Sequence, residues 1–162
     1  MKTFAIRFKS ISMLALLGLL LATAFAGGQT KEREVYPAPE MAPIQIKAAL
    51  DKASKAHKRI ILDFGGNWCG DCKTLDKLFR QPSNAMLLNA NFILVDVNIG
   101  KVDKNLEIAK KYGVPLEKGV PALAVLDSDG RVLFSQKQGE FEAMSRMDPI
   151  SVTHFLNHWR KK

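Results

Sequence analysis

The sequence predicts one layered α/β domain in which helices flank a central mixed β-sheet. Three observations carry this reading. Short β-rich runs alternate with apolar stripes of helical period, and the last two runs are joined by Ser128-Asp129-Gly130, a tight hairpin signal. The chain has 162 residues, 47% hydrophobic and 25% charged, which suits one globular domain and excludes disordered and fibrous classes.

The first 26 residues differ in composition from the rest. Lys2, Arg7 and Lys9 form a basic start, Ile11 to Ala26 is an apolar run, and Ala24-Phe25-Ala26 is a small-x-small cleavage site. The run is short of the roughly 20 apolar residues that a spanning helix needs, so residues 1–26 are expected to be a cleaved signal peptide. No cysteine follows the run to carry a lipid. The mature protein is expected from Gly27, exported, and periplasmic in a Gram-negative cell. Without the three bases of the leader, 21 basic and 16 acidic residues remain, a net charge of +5. The bases are scattered and no aromatics are interleaved among them, so no nucleic acid is expected as a partner.

Residues 27–40 are polar and carry Pro37 and Pro39, which predicts an extended linker before a domain over 41–162. Ile44 or Ile46 with Ala49, Leu50 and Ala53 predicts a helix ending near His57. "RIILDF" (59–64) reads as a strand covered on both faces. A helix follows from the cysteines to about Arg80, with Leu75, Leu78 and Phe79 inward, and a second begins after Ser83, whose hydroxyl is a fair N-cap. "NFILVDVNI" (91–99) is a buried strand, and 103–112 a helix stopped by Gly113. "PALAVLD" (121–127) and "RVLFSQ" (131–136) form the hairpin, and a last helix runs from about Pro149 to Trp159.

Both cysteines of the chain lie in "FGGNWCGDCKTL". A structural bridge is the bland explanation in an exported protein. Yet closing about four residues should stabilise by only about 2 kcal/mol, against about 4.7 for a 100-residue loop. A structural zinc wants four ligands, and there is no second Cys-x-x-Cys and no Cys-x-x-His, so no metal is expected. The redox reading explains the placement. Cys69 follows a strand and opens a helix, where unpaired N–H groups and the positive dipole end favour thiolate, and Cys72 stands one turn later, enclosed and within reach. Trp68 covers one side of the pair. A thiolate attacks a disulfide, a mixed disulfide forms, and the second cysteine releases the product. No cofactor beyond the Cys69–Cys72 pair is expected.

"ILDFGGNWCGDCK", with "YGVPLEKGVPALAVLDSDG" further along, resembles the thioredoxin superfamily, and specifically its exported, periplasmic-type members. The resemblance covers roughly Ile44 to Trp159. It implies a thioredoxin-like fold, Cys69 as nucleophile, Cys72 as resolving thiol, and Pro121 as a cis-proline beside the site. Pro121 lacks an N–H at a strand start, so the Val120 backbone is expected to pair with an extended substrate. Asp63 ends the apolar strand; the resemblance implies a buried acid that helps move the proton of the second cysteine, and burial would raise its pKa as that task requires. The sequence departs from the common pattern at Asp71, where proline is usual, at Asp96, where lysine is frequent, and in a longer segment, Pro115 to Gly119. Asp71 is expected to modulate the Cys69 pKa by opposing its thiolate.

His154 and His158 are spaced for two metal ligands, but Val152, Phe155, Leu156 and Trp159 mark the opposite face as the inward one, so both histidines are expected in solvent. His57 is expected to close its helix. Two functions remain: a monomeric thiol–disulfide oxidoreductase acting on exported proteins, with a membrane-bound electron donor or acceptor, or a non-catalytic thioredoxin-like binding or chaperone module. The intact pair favours the first.

Overall fold

In the computed structural model, residues 33–161 are described; the expected leader and the first part of the expected linker lie outside them. Strand β1 (Arg59–Gly65) is buried at all but its first residue, which is why its sequence is almost continuously apolar. It pairs in parallel with β2 (Phe92–Asn98) and antiparallel with β3 (Ala122–Leu126), and β3 pairs antiparallel with β4 (Val132–Ser135). The order across the sheet is β2-β1-β3-β4. Alternation along β1 then assigns the two faces: Ile60, Leu62 and Phe64 point to one, Ile61 and Asp63 to the other.

Helix α1 (Ala42–Ala56) covers the first face with Ile46 and with Ala42, Ala49 and Ala53, three small residues that let it pack closely on Leu62, Phe64, Val95 and Val97. Of the two isoleucines that the period allowed, Ile46 packs inward and Ile44 is exposed. Helices α2 (Gly70–Phe79), α3 (Pro82–Asn91) and α5 (Ile150–Trp159) cover the second face. There Leu75, Phe79, Val152 and Leu156 meet Ile61, Leu123 and Val125. Each large side chain fully withdrawn from water stabilises the fold by about 1.5–3 kcal/mol, so this double-sided burial is the main force fixing α2 to the sheet. Buried Asn84 joins three helices: its Nδ2 donates to the Leu78 carbonyl at 2.9 Å and its Oδ1 accepts from Thr153 at 2.6 Å.

Several boundaries differ from expectation. Helix α3 begins at Pro82 with Gln81 before it and no side-chain cap, so the Ser83 hydroxyl does not start the helix; Pro82, with its fixed φ and missing N–H, does. The helix expected over 103–112 is shortened to α4 (Leu106–Lys111), because residues 100–105 form a turn held by Asn98 and Asn105 side chains. A further element is the 3-10 turn Met144–Arg146, in a segment that buries Phe141 and Met144 against α5 and the second face. His57 occupies the left-handed C-cap of α1, and His154 and His158 are exposed. No helix among the described residues is long and apolar enough to cross a membrane.

Candidate active site

The sharp exit from β1 places Cys69 as the N-cap of α2. Its Sγ accepts a hydrogen bond from the Cys72 backbone N–H at 3.1 Å, so one of the unpaired donors of the first helical turn points at the sulfur. Cys69 and Cys72 form a disulfide across a Cα–Cα distance of 5.3 Å. Cys69 is 6% exposed and Cys72 0%, an asymmetry that leaves Cys69 alone within reach of a substrate.

Three further features surround the pair. The Val120–Pro121 peptide bond is cis, and the Val120 carbonyl oxygen lies 3.6 Å from Cys69 Sγ. Gln136, fully buried, fixes the start of β3: its Oε1 accepts from Leu123 N–H at 3.2 Å and its Nε2 donates to the Pro121 carbonyl at 3.3 Å. Trp68 is 54% exposed, with its indole N–H donating to the Gly100 carbonyl, so the ring is steered by the 100–105 turn and keeps an apolar face toward solvent.

Behind the pair, Asp63 is 1% exposed, on the same face of β1 as Ile61 and so on the side of α2. Burial pushes its carboxyl well above the usual carboxylate range, and Asp96, its register neighbour on β2, pushes it the same way, while the hydrogen bond from Tyr36 pulls it down. Asp96 is raised to about 7, first by burial and then by Asp76, with Arg33 opposing. Asp71 lies in the first turn of α2. Its Oδ1 accepts from Ser145 N–H at 2.7 Å and so anchors the 3-10 turn to α2, which gives this side chain a structural partner that no sequence pattern signalled.

The segment expected to be a linker is part of the site. Val35 and Tyr36 are buried and cluster with Cys69, Cys72 and Val120. Asn67 clamps them: its Oδ1 accepts from Val35 and Tyr36 N–H groups, both at 2.9 Å, and its Nδ2 donates to the Tyr36 carbonyl at 2.8 Å. Arg33 donates to both carboxylate oxygens of Asp76 at 3.0 Å. The polar composition concealed this, because Val35 and Tyr36 are the only large apolar side chains of 27–40 and their partners lie far away in sequence. Removing the clamp with Asn67→Ala should cost about 2 kcal/mol, since three backbone groups lose their partners, and should speed hydrogen exchange at Val35 and Tyr36 above that of α1. Uniform protection in the variant would refute the clamp.

A groove of about 470 Å³ runs along edge strand β2 between Glu34–Pro37 and α1. The sulfurs do not line it, and disulfide exchange requires access to one sulfur rather than a cavity.

A fully buried sulfur bonded to a second one at a helix N-terminus, on a mixed four-stranded sheet, defines a thioredoxin-type site. Residues 41–128 match the family described as thioredoxin-like, and the chain belongs to that family. It is 35% identical to a crystal structure of disulphide isomerase from Xylella fastidiosa, over 79% of this chain and 98% of that one, with a TM-score of 0.75. It is 29% identical over 120 residues to thiol:disulfide interchange protein DsbD of Pseudomonas fluorescens, covering 72% of this chain but 18% of that protein. A solution structure of a Thermus thermophilus thioredoxin shares the fold at a TM-score of 0.51 and 20% identity, over 76% of this chain and 83% of that one. The chain spans only a fraction of the DsbD it matches.

Proposed function

We propose that the chain is a thiol–disulfide oxidoreductase acting on disulfides or dithiols of exported proteins through Cys69 and Cys72. The observation that carries this reading is the paired sulfurs at the start of α2, Cys69 at the helix N-terminus with a small edge exposed and Cys72 fully enclosed. In the reducing direction, the Cys69 thiolate attacks a client disulfide, forming an intermolecular S–S bond and expelling a client thiolate. The Cys72 thiol then loses its proton and attacks Cys69 Sγ, closing the Cys69–Cys72 disulfide and releasing the second client thiolate. Two electrons pass to the client, and the proton lost from Cys72 ends on a released thiolate. The oxidising direction reverses these steps.

Asp63 accepts the Cys72 proton in this scheme. Val120 and Pro121 bind the client backbone beside Cys69, and Trp68 supports its side chains. Export rests on the leader composition, and it implies a membrane-bound donor or acceptor to reset the pair. The test is reduction of insulin by the protein with dithiothreitol. Turnover that is abolished by Cys69→Ser supports the reading, whereas no turnover by the unaltered chain points to a binding module. Equilibration of the pair with glutathione then fixes the direction, about 30 mV corresponding to 1.4 kcal/mol.

A further inference from the structure

Tyr36 is a buried titratable group that takes no part in the thiol–disulfide exchange itself. It is 1% exposed, and its hydroxyl donates to Asp63 Oδ2 at 3.0 Å. It also stands beside the resolving sulfur: a Cβ on Gly65 would lie 2.4 Å from the Tyr36 oxygen and 2.8 Å from Cys72 Sγ, so this glycine is what lets the two approach. The other oxygen, Asp63 Oδ1, is the buried side-chain atom without a hydrogen-bond partner among the described residues. The phenol is held from outside by Asn67, which fixes the Tyr36 backbone.

We propose that Tyr36 is the positioning residue for Asp63: its hydroxyl holds Oδ2 and leaves Oδ1 to take the Cys72 proton when the mixed disulfide is resolved. This rests on the oxidoreductase reading. In that step the Cys72 S–H bond breaks, Oδ1–H forms, Cys72 Sγ bonds to Cys69 Sγ, and the bond from Cys69 to the client breaks with its electron pair leaving on the client sulfur. Asp63 then returns the proton to the released thiolate or to solvent. A hydrogen bond donated to a carboxylate favours its ionised form, so the phenol also keeps the buried acid usable as a base at a lower pH than burial alone would allow. The groups facing Asp63 are Tyr36 from the amino-terminal segment, Asp96 from β2 and Asp76 from α2, with Arg33 paired to Asp76; Cys72 of α2 stands beside the Tyr36 hydroxyl, and β3 presents apolar Leu123.

The test compares the unaltered chain with Tyr36→Phe and with 3-fluorotyrosine placed at position 36, a stronger donor of nearly the same shape. Asp63 is titrated in the oxidised chain by its side-chain carboxyl carbon resonance. Tyr36→Phe should move the midpoint up by about one pH unit, and the fluorinated residue should move it down. In the reduced chain, reaction with a dithiobis-nitrobenzoate reagent releases one thionitrobenzoate when Cys69 attacks and a second when Cys72 closes the disulfide. Tyr36→Phe should leave the first phase unchanged, slow the second about threefold to tenfold at pH 7, and shift its pH profile upward. A midpoint unmoved in both variants overturns the proposal. So does equal slowing of both phases, or slowing that persists when Asp63→Asn is already present, because the effect would then not pass through Asp63. The carboxyl titration needs no turnover, so failure of the oxidoreductase reading, seen as absent insulin reduction, is distinguishable from failure of this one.

Discussion

Cys72→Ser converts the protein into a trap: client proteins accumulate on Cys69 as mixed disulfides, visible as high-mass bands that reductant removes. The variant keeps Cys69 as N-cap of α2, with the helix N-terminus stabilising its thiolate. Attack therefore proceeds. Release does not, because a serine hydroxyl cannot displace sulfur at neutral pH. Cys69→Ser should give few such bands. Cys72 is fully buried between Tyr36 and Gly65 and has no path to a protein-sized disulfide. The contrast also separates the alternatives. A binding module yields no covalent adducts from either variant, and a purely structural disulfide yields about 2 kcal/mol of destabilisation from both. Equal trapping by the two single variants would defeat the assigned roles.

Asp63→Asn should slow disulfide closure by about 10²-fold at pH 7, the size of a lost general base, while making the oxidised protein more stable in alkali. The two effects have one origin. Burial and the Asp96 charge raise the folded-state pKa of Asp63, so the folded chain binds more protons than the unfolded chain between the ordinary carboxylate value and the raised one. The stability that protonated Asp63 contributes is fully present below about pH 4 and is lost as pH rises through the folded value. Asp96, raised to about 7, adds a loss of the same sign between about pH 4 and that value. Asparagine at 63 carries no charge to bury and still accepts from Tyr36. Its advantage should be near zero at pH 4 and should grow steadily as the pH rises to 9, read from urea unfolding midpoints of the disulfide form. The same advantage at both pH values would mean that the gain comes from packing and not from ionisation.

The order of helices and strands was legible because each element carries its own signature over a few residues. The β-rich run at 59–64, the hairpin at Ser128–Gly130 and the apolar face of α5 are local patterns, and the sheet assembled as their sequence implied. The sulfur pair was legible for the same reason, two cysteines one helical turn apart, and the burial of Asp63 followed from the doubly covered strand, while its link to the cysteines came from the thioredoxin resemblance.

What the sequence could not reveal are side chains whose meaning depends on a distant partner. Tyr36 reaches Asp63 across 27 positions, Asn67 reaches Tyr36 across 31, Arg33 reaches Asp76 across 43, and Asp71 reaches Ser145 across 74. None of these contacts has a periodicity, and each polar residue reads equally well as a solvated surface group until the backbone is folded. The sequence by itself determined the layered α/β order, the pair of cysteines at a helix start and the buried position of Asp63. Only the tertiary structure decided that residues 33–36, polar enough to pass for a linker, close the rear of the site, because their hydrogen-bonding groups are satisfied by partners that folding alone brings near.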